Sequence, residues 1–268
     1  MKNNYQLKTV QHKVIGIVGG MGPQAGVALL NHILCRTKAT TDQEHLSAVL
    51  MSFPGLVVDR TAYLEGRTDI NPAHSIAGII DRLESAGAAV IGIACNTSHA
   101  PAIFNVVLTE LKKNNSAVKL LQMPYETCLF IKQQHPQVKR VGVLSTNGTY
   151  RCGIYSDLLQ DMGFELVLPD PVFQNNVIHR MVYDQQYGIK ANTAAITQKV
   201  NELMQESINY FIRKGAEAII IGCTELSLIP LNVNIGDLLI IDASDILARA
   251  LIRDATQMDR SGHLFATV

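Results

Sequence analysis

The feature that most constrains the fold is an internal duplication. The segment "AGAAVIGIACNT" (86–97) is answered by "KGAEAIIIGCTE" (214–225), and "KVIGIVGGMGP" (13–23) by "RVGVLSTNGTY" (140–150). In the first pair a Gly-Ala step stands eight positions ahead of a cysteine, Gly87 before Cys95 and Gly215 before Cys223. The distance between the paired segments is nearly kept, because Gly16 precedes Cys95 by 79 positions and Gly142 precedes Cys223 by 81. Similarity at a fixed offset marks one structural unit used twice. A chain of 268 residues has room for two units, each able to bury a core.

Within each unit, short runs of Val, Ile and Leu alternate with longer stretches of helical period. "KVIGIVGG" (13–20), "HLSAVLMSF" (45–53) and "AAVIGIAC" (88–95) predict strands, while "PQAGVALLNHILCRTKA" (23–39) and "HSIAGIIDRLESAG" (74–87) predict helices. These strands lack polar alternation, so both faces are covered, as in a parallel sheet flanked by helices. The halves also end alike, since "VKLLQMPYETCLFI" (118–131) and "DLLIIDASDILARAL" (237–251) each pass from a strand through an acidic turn into a helix. The expected class is α/β, with two pseudo-symmetric domains, each a mostly parallel sheet, and a cleft between them. Residues 1–124 with a returning C-terminal helix at 243–268 form the first expected domain, and 125–242 the second.

Lysine plus arginine balance aspartate plus glutamate at 23 each, and the basic residues are scattered. That excludes the electrostatic footprint of a nucleic-acid or anionic-membrane binder and leaves a small-molecule partner. Five cysteines without a CxxC spacing, after an N-terminus lacking an apolar leader, read as reduced thiols of a cytoplasmic protein. No apolar run approaches the roughly 20 residues that span a bilayer.

A lone cysteine usually packs as a small hydrophobe, and Cys35, Cys128 and Cys152 fit that role. Cys95 and Cys223 differ, because they occupy equivalent points of the repeat at the carboxyl end of a strand, where open α/β sheets bind ligands. Each is followed by polar residues, Asn96, Thr97 and Ser98 or Thr224 and Glu225, at an expected helix N-terminus. Exposed N–H groups there lower a thiol's pKa and attract carboxylates. If the halves face one another, the two thiols approach one crevice from opposite sides.

Zinc is the rival reading, since Cys95 and His99 stand four apart and Cys223 could add a third ligand. It lacks a second histidine or a CxxC, and Pro101 crowds the segment, so no metal is expected. The turn "GGMGP" (19–23), which contains Met21, has neither dinucleotide spacing nor the GK[ST] of a phosphate loop; it can wrap a small anion or merely connect strand to helix. Arg60, in "VVDRTAYLEGRTD", and Lys190, in "MVYDQQYGIKAN", are by residue type alone either solvated surface cations or carboxylate binders in the cleft.

Taken together, "GGMGP" (19–23), "DRTAY" (59–63), "ACNTSH" (94–99), "NGTY" (147–150) and "GCTEL" (222–226) resemble the aspartate/glutamate racemase superfamily, and within it the aspartate racemases. The resemblance implies racemisation of an acidic amino acid without a cofactor, by two cysteines on opposite faces of the α-carbon. It implies Cys95 and Cys223 as the proton-transferring pair, with Asn96, Thr97, Ser98, Thr224 and Met21 lining the pocket. Arg60 and Lys190 would grip the carboxylates of aspartate, and the protein would be a homodimer, although no exposed apolar stripe marks an interface. Two features bear on specificity. The stretch "SFPGLVVDR" is less polar than the asparagine-rich segment of aspartate racemases, and "GCTEL" lacks the histidine that peptidoglycan-type glutamate racemases carry after the threonine. The first leaves the aim of Arg60 open and keeps a racemase of broader or glutamate-type specificity as the second reading. The other speaks against the peptidoglycan type, and a noncatalytic amino-acid binder is the third reading.

Overall fold

The computed structural model describes residues 12–192, 194–230 and 235–257. The first half runs β1 (Val14–Gly19), α1 (Pro23–Arg36), β2 (Ala48–Ser52), α2 (Arg60–Leu64), α3 (Ala73–Ser85), β3 (Ala88–Ile93), α4 (Pro101–Lys113) and β4 (Lys119–Leu121), then α5 (Met123–Gln134). The second runs β5 (Arg140–Leu144), α6 (Asn147–Arg151), α7 (Ile154–Asp161), β6 (Glu165–Val167), α8 (Pro171–Phe173), α9 (Arg180–Tyr183), α10 (Gln198–Arg213), β7 (Ala218–Ile221), β8 (Leu239–Asp242) and α11 (Ala243–Thr256). A π-helical turn, Gln174–His179, joins α8 to α9.

Among the described residues the strands form two four-stranded sheets, ordered β2-β1-β3-β4 and β6-β5-β7-β8, with every pairing parallel. The class is α/β, as the unalternated apolar runs predict. The duplication persists in the register, where Gly16 stands opposite Ile91 and Gly142 opposite Ile219. The repeated Gly-Ala step now has a cause. Just beyond the ends of helices α3 and α10, Gly87 and Gly215 have φ of 93° and 73°. Side chains resist that left-handed backbone and glycine does not, so each helix turns into its strand within a few residues.

Some predicted bounds move. The helix expected over 23–39 stops at Arg36, where Thr37 takes an extended backbone and its hydroxyl donates to the Ile33 carbonyl at 2.7 Å. The strand expected over 45–53 contracts to Ala48–Ser52. Of the helix expected over 243–268, α11 accounts for the part to Thr256, and residues 258–268 lie outside the described residues. No helix among the described residues is long and apolar enough to cross a membrane.

The last helix of each half holds the two together. α11 follows the last strand of the second sheet, yet it packs on β3, β1 and α1 of the first half. α5 follows the last strand of the first sheet and packs on α7 of the second half and on α11. A single buried cluster consequently runs through Ile17, Leu29, Ile131, Val143, Tyr155 and Leu247. Polar contacts reinforce this layer: Arg253 grips Glu126 through two hydrogen bonds of 2.9 and 3.0 Å, and Arg36 grips Asp245 at 2.7 and 3.0 Å.

Leu247 is fully buried on α11. Leu247→Ala is expected to destabilise the protein by about 2–5 kcal/mol, because a leucine cavity in a close-packed core collapses only partly. Urea unfolding followed by circular dichroism should show one transition at a lower midpoint, both halves melting together.

Candidate active site

The carboxyl ends of β1, β3, β5 and β7 deliver their following loops to one place between the halves. From β1 comes the turn carrying Met21, from β3 Cys95, Asn96 and Thr97, from β5 Thr146, and from β7 Gly222, Cys223, Thr224 and Glu225; all of these line one small cavity. Arg60 at the start of α2, Tyr183 at the end of α9, and Lys190 complete the wall. The enclosed space is about 10 Å³, room for roughly one water molecule. It adjoins a larger chamber of about 320 Å³ that shares Met21, Arg60, Lys190 and Glu225 and adds the apolar Pro54, Val57 and Ile189.

The two thiols predicted from the repeat thus open on a common cavity, one from each half. The expected helix N-termini do not accompany them. Cys95 leads into a four-residue 3-10 turn, Asn96–His99, before α4 begins at Pro101, and the turn after Cys223 becomes 3-10 only at Leu226–Leu228. Turns this short carry little dipole. At Cys223 the expected lowering of the thiol's pKa is reversed: burial pushes it well above its ordinary value, and the Glu225 carboxylate, accepting the S–H at 3.2 Å, pushes it further. Cys223 therefore keeps its proton through the neutral range.

Arg60 is 6 % exposed and lines the cavity. Its guanidinium donates to the Met21 carbonyl at 2.8 Å and the Val58 carbonyl at 3.3 Å, while its Nε is buried with no partner. Burial works against the charge, but Cys95, Asp59 and Tyr183 outweigh it and hold Arg60 cationic. Asp59 also caps α2, accepting from the Ala62 N–H at 2.8 Å, and receives the Tyr183 hydroxyl from the other half at 3.1 Å. Lys190 lies 4.6 Å over the Tyr183 ring and 3.5 Å from Glu225 Oε1. Burial disfavours its charge, yet Glu225 and Tyr183 raise its pKa above the usual lysine value.

Asn96 accepts from the Tyr155 hydroxyl at 2.5 Å through Oδ1, and its Nδ2 is buried without a partner. Thr97 meets Thr149 of the second half at 2.9 Å, and Thr224 donates to the Ala94 carbonyl of the first at 3.3 Å. Ser98 is absent from the cavity lining and fully buried, with its hydroxyl on Met21 Sδ at 3.5 Å. His99 also stands off the wall. It packs on Phe104 with ring centroids 4.9 Å apart, and burial pushes its pKa down to about 3, so it is neutral. Among the described residues no group of three or more His, Cys, Asp and Glu gathers as a metal would need. Of the remaining thiols, Cys128 is buried with its pKa pushed up to about 12 by burial, and Cys152 is half-buried, but Cys35 is exposed on α1 rather than packed.

The side chain that residue-by-residue reading undervalued is Glu225. It is 6 % exposed and ties together contributions from both halves: Oε1 accepts the Gly22 N–H at 3.1 Å and faces Lys190, and Oε2 faces Cys223 and Thr224. Its signal in the sequence was the "CTE" triplet, which reads only as a polar turn until the fold brings Gly22 to it.

Two parallel α/β halves thus meet across a cleft with a thiol from each. A family model described as Asp/Glu/hydantoin racemase matches residues 18–251. The chain belongs to this family and is an isomerase of the racemase type. It is 27 % identical over 246 residues to the broad specificity amino-acid racemase RacX of Bacillus subtilis, covering 89 % of this chain and 96 % of that one. Among solved structures it resembles an aspartate racemase of Picrophilus torridus, with a TM-score of 0.73 and 31 % identity over 91 % of this chain and 94 % of that one. A glutamate racemase of Francisella tularensis, at 17 % identity, shares the fold with a TM-score of 0.63 over 91 % of this chain and 80 % of that one.

Glu225→Gln removes a carboxylate that opposes ionisation of Cys223. The thiol is expected to ionise at lower pH in the variant. The check is a difference titration of ultraviolet thiolate absorbance between proteins with Cys223 and with Cys223→Ser, carried out once with Glu225 intact and once in the Glu225→Gln background.

Proposed function

We propose that the protein is a cofactor-independent racemase that interconverts L- and D-aspartate by moving a proton between Cys95, Cys223 and the α-carbon. The observation that carries this reading is the pair of thiols on one cavity, accompanied by buried donors, Arg60 Nε and Asn96 Nδ2, that have no partner. Unsatisfied buried donors cost stability, so a cavity that keeps them is built for an acceptor, and a carboxylate supplies one with charge.

Cys95, beside the fixed Arg60 cation, acts as the base in this direction. Cys223, its S–H held by Glu225, starts as the acid. Cys95 takes the α-proton, the electron pair moves into the α-carboxylate as an enediolate, and Cys223 delivers its proton to the opposite face. The products are the mirror-image amino acid, a Cys95 thiol and a Cys223 thiolate, and the reverse reaction starts from that state. Arg60, Asn96 and the Thr97 and Thr224 hydroxyls stabilise the charge that develops on the carboxylate. Each tenfold in rate requires about 1.4 kcal/mol from such donors. The second carboxylate of aspartate is held by Lys190, which Glu225 shares.

A second reading, a racemase of broader range, is favoured by the adjoining apolar chamber at Pro54, Val57 and Ile189, which has room for longer side chains. Optical rotation measured over a panel of L-amino acids separates the two, since turnover of aspartate alone removes the broader reading.

L-aspartate in heavy water with the purified protein and no added cofactor should lose its α-proton signal while optical rotation decays. Cys95→Ala and Cys223→Ala should each lower kcat by about 10²–10⁴-fold, the range for loss of a positioned acid or base. An alanine variant that racemises at the normal rate would overturn the two-thiol scheme.

A further inference from the structure

Tyr155 is 3 % exposed, lies on α7 and does not line the cavity, yet it touches the neighbours of both thiols. Its hydroxyl donates to Asn96 Oδ1 at 2.5 Å, one residue from Cys95. Its ring lies against Gly222, one residue from Cys223: a Cβ on that glycine would come within 3.1 Å of Tyr155 Cε2. One phenol thus bridges the two loops that carry the sulfurs, reaching from the second half into the first.

The direction of the Asn96 bond has a consequence. A side-chain amide can present either its oxygen or its nitrogen to a given neighbour. A phenol that donates takes the oxygen, which leaves Nδ2 buried and unpartnered. Asn96 lines the cavity, so its wall carries an amide donor that no protein atom satisfies. The opposite orientation would turn Oδ1 toward a bound carboxylate and repel it. Burial keeps the phenol protonated through the neutral range, so it retains the proton it donates to Asn96.

We propose that Tyr155 is a positioning residue: its hydroxyl fixes the Asn96 amide with the nitrogen toward the substrate α-carboxylate, while its ring sets the depth of the Gly222–Cys223 step. This rests on reading the cavity as an amino-acid site. The test therefore pairs turnover with binding of succinate, a dicarboxylate that cannot be racemised. Tyr155→Phe keeps the ring and removes the donor. It is expected to raise KM for L-aspartate and Kd for succinate about tenfold, the latter by calorimetry. In an Asn96→Ala background the same change is expected to leave both constants within twofold, because there is no amide left to orient. A role confined to packing would instead weaken both backgrounds alike. p-Aminophenylalanine at position 155, which restores a donor on the same ring, should bring the constants back within threefold of the wild type.

Wild-type KM and Kd in Tyr155→Phe, or equal losses in both backgrounds, would overturn the proposal. If Tyr155→Phe does not fold, the wild type decides. The side-chain amide protons of Asn96, assigned by their absence in Asn96→Asp, should shift in the nitrogen–proton spectrum on saturation with succinate, and unchanged signals would overturn the proposal too. Succinate binding without racemisation would sink the proposed function while leaving the Tyr155 result readable. A wild type that binds neither succinate nor aspartate would overturn both.

Discussion

The exchange of terminal helices is the constraint on which the remaining structure depends. α11 leaves the second sheet to pack on the first, and α5 bridges from the end of the first sheet to α7 and α11, so neither half completes its core alone. A site shared between two ordinary domains would move with a linker. Here the halves are joined by a layer of buried leucine, isoleucine and alanine, closed by the Arg253–Glu126 and Arg36–Asp245 pairs. The energy of that layer is mostly apolar burial, with the half-exposed arginines adding direction more than strength. It holds the carboxyl ends of two sheets face to face, and the loops they carry inherit that geometry.

Between those sheet ends the charges are closely balanced. Arg60 and Lys190 contribute two cations, and Glu225 and Asp59 two carboxylates, all interlocked across the cleft by Gly22, Tyr183 and Cys223. Buried charges persist only when paired. What is left over is directional: donors on Arg60 and Asn96 that no protein atom satisfies. The cavity accordingly keeps its charges paired yet is locally suited to an acceptor.

Much of this was legible in the sequence because the same physical problem is solved twice. Apolar runs without alternation required covered parallel strands, and Gly87 and Gly215 marked the same left-handed helix end in both halves. Placing Cys95 and Cys223 at equivalent strand ends was enough to bring them to one cavity. Other features were hidden because they depend on partners distant in sequence. Glu225 matters through Gly22, 203 positions away, and Tyr155 through Asn96, 59 positions away. Local pattern also misjudged the turns after the thiols, where Pro101 delays α4 and leaves a 3-10 turn. Ser98, which the resemblance puts in the pocket, sits on that tight turn with its side chain on Met21, itself part of the cavity wall.

The repeat is symmetric in backbone and asymmetric in charge: an arginine attends one sulfur, a glutamate the other. Mirror-image amino acids have equal free energy in water, so for a racemase the Haldane relation makes kcat/KM identical in the two directions. Unequal surroundings of the sulfurs cannot bias the final mixture. They can only divide that common ratio differently, giving one enantiomer tighter saturation and slower maximal turnover than the other.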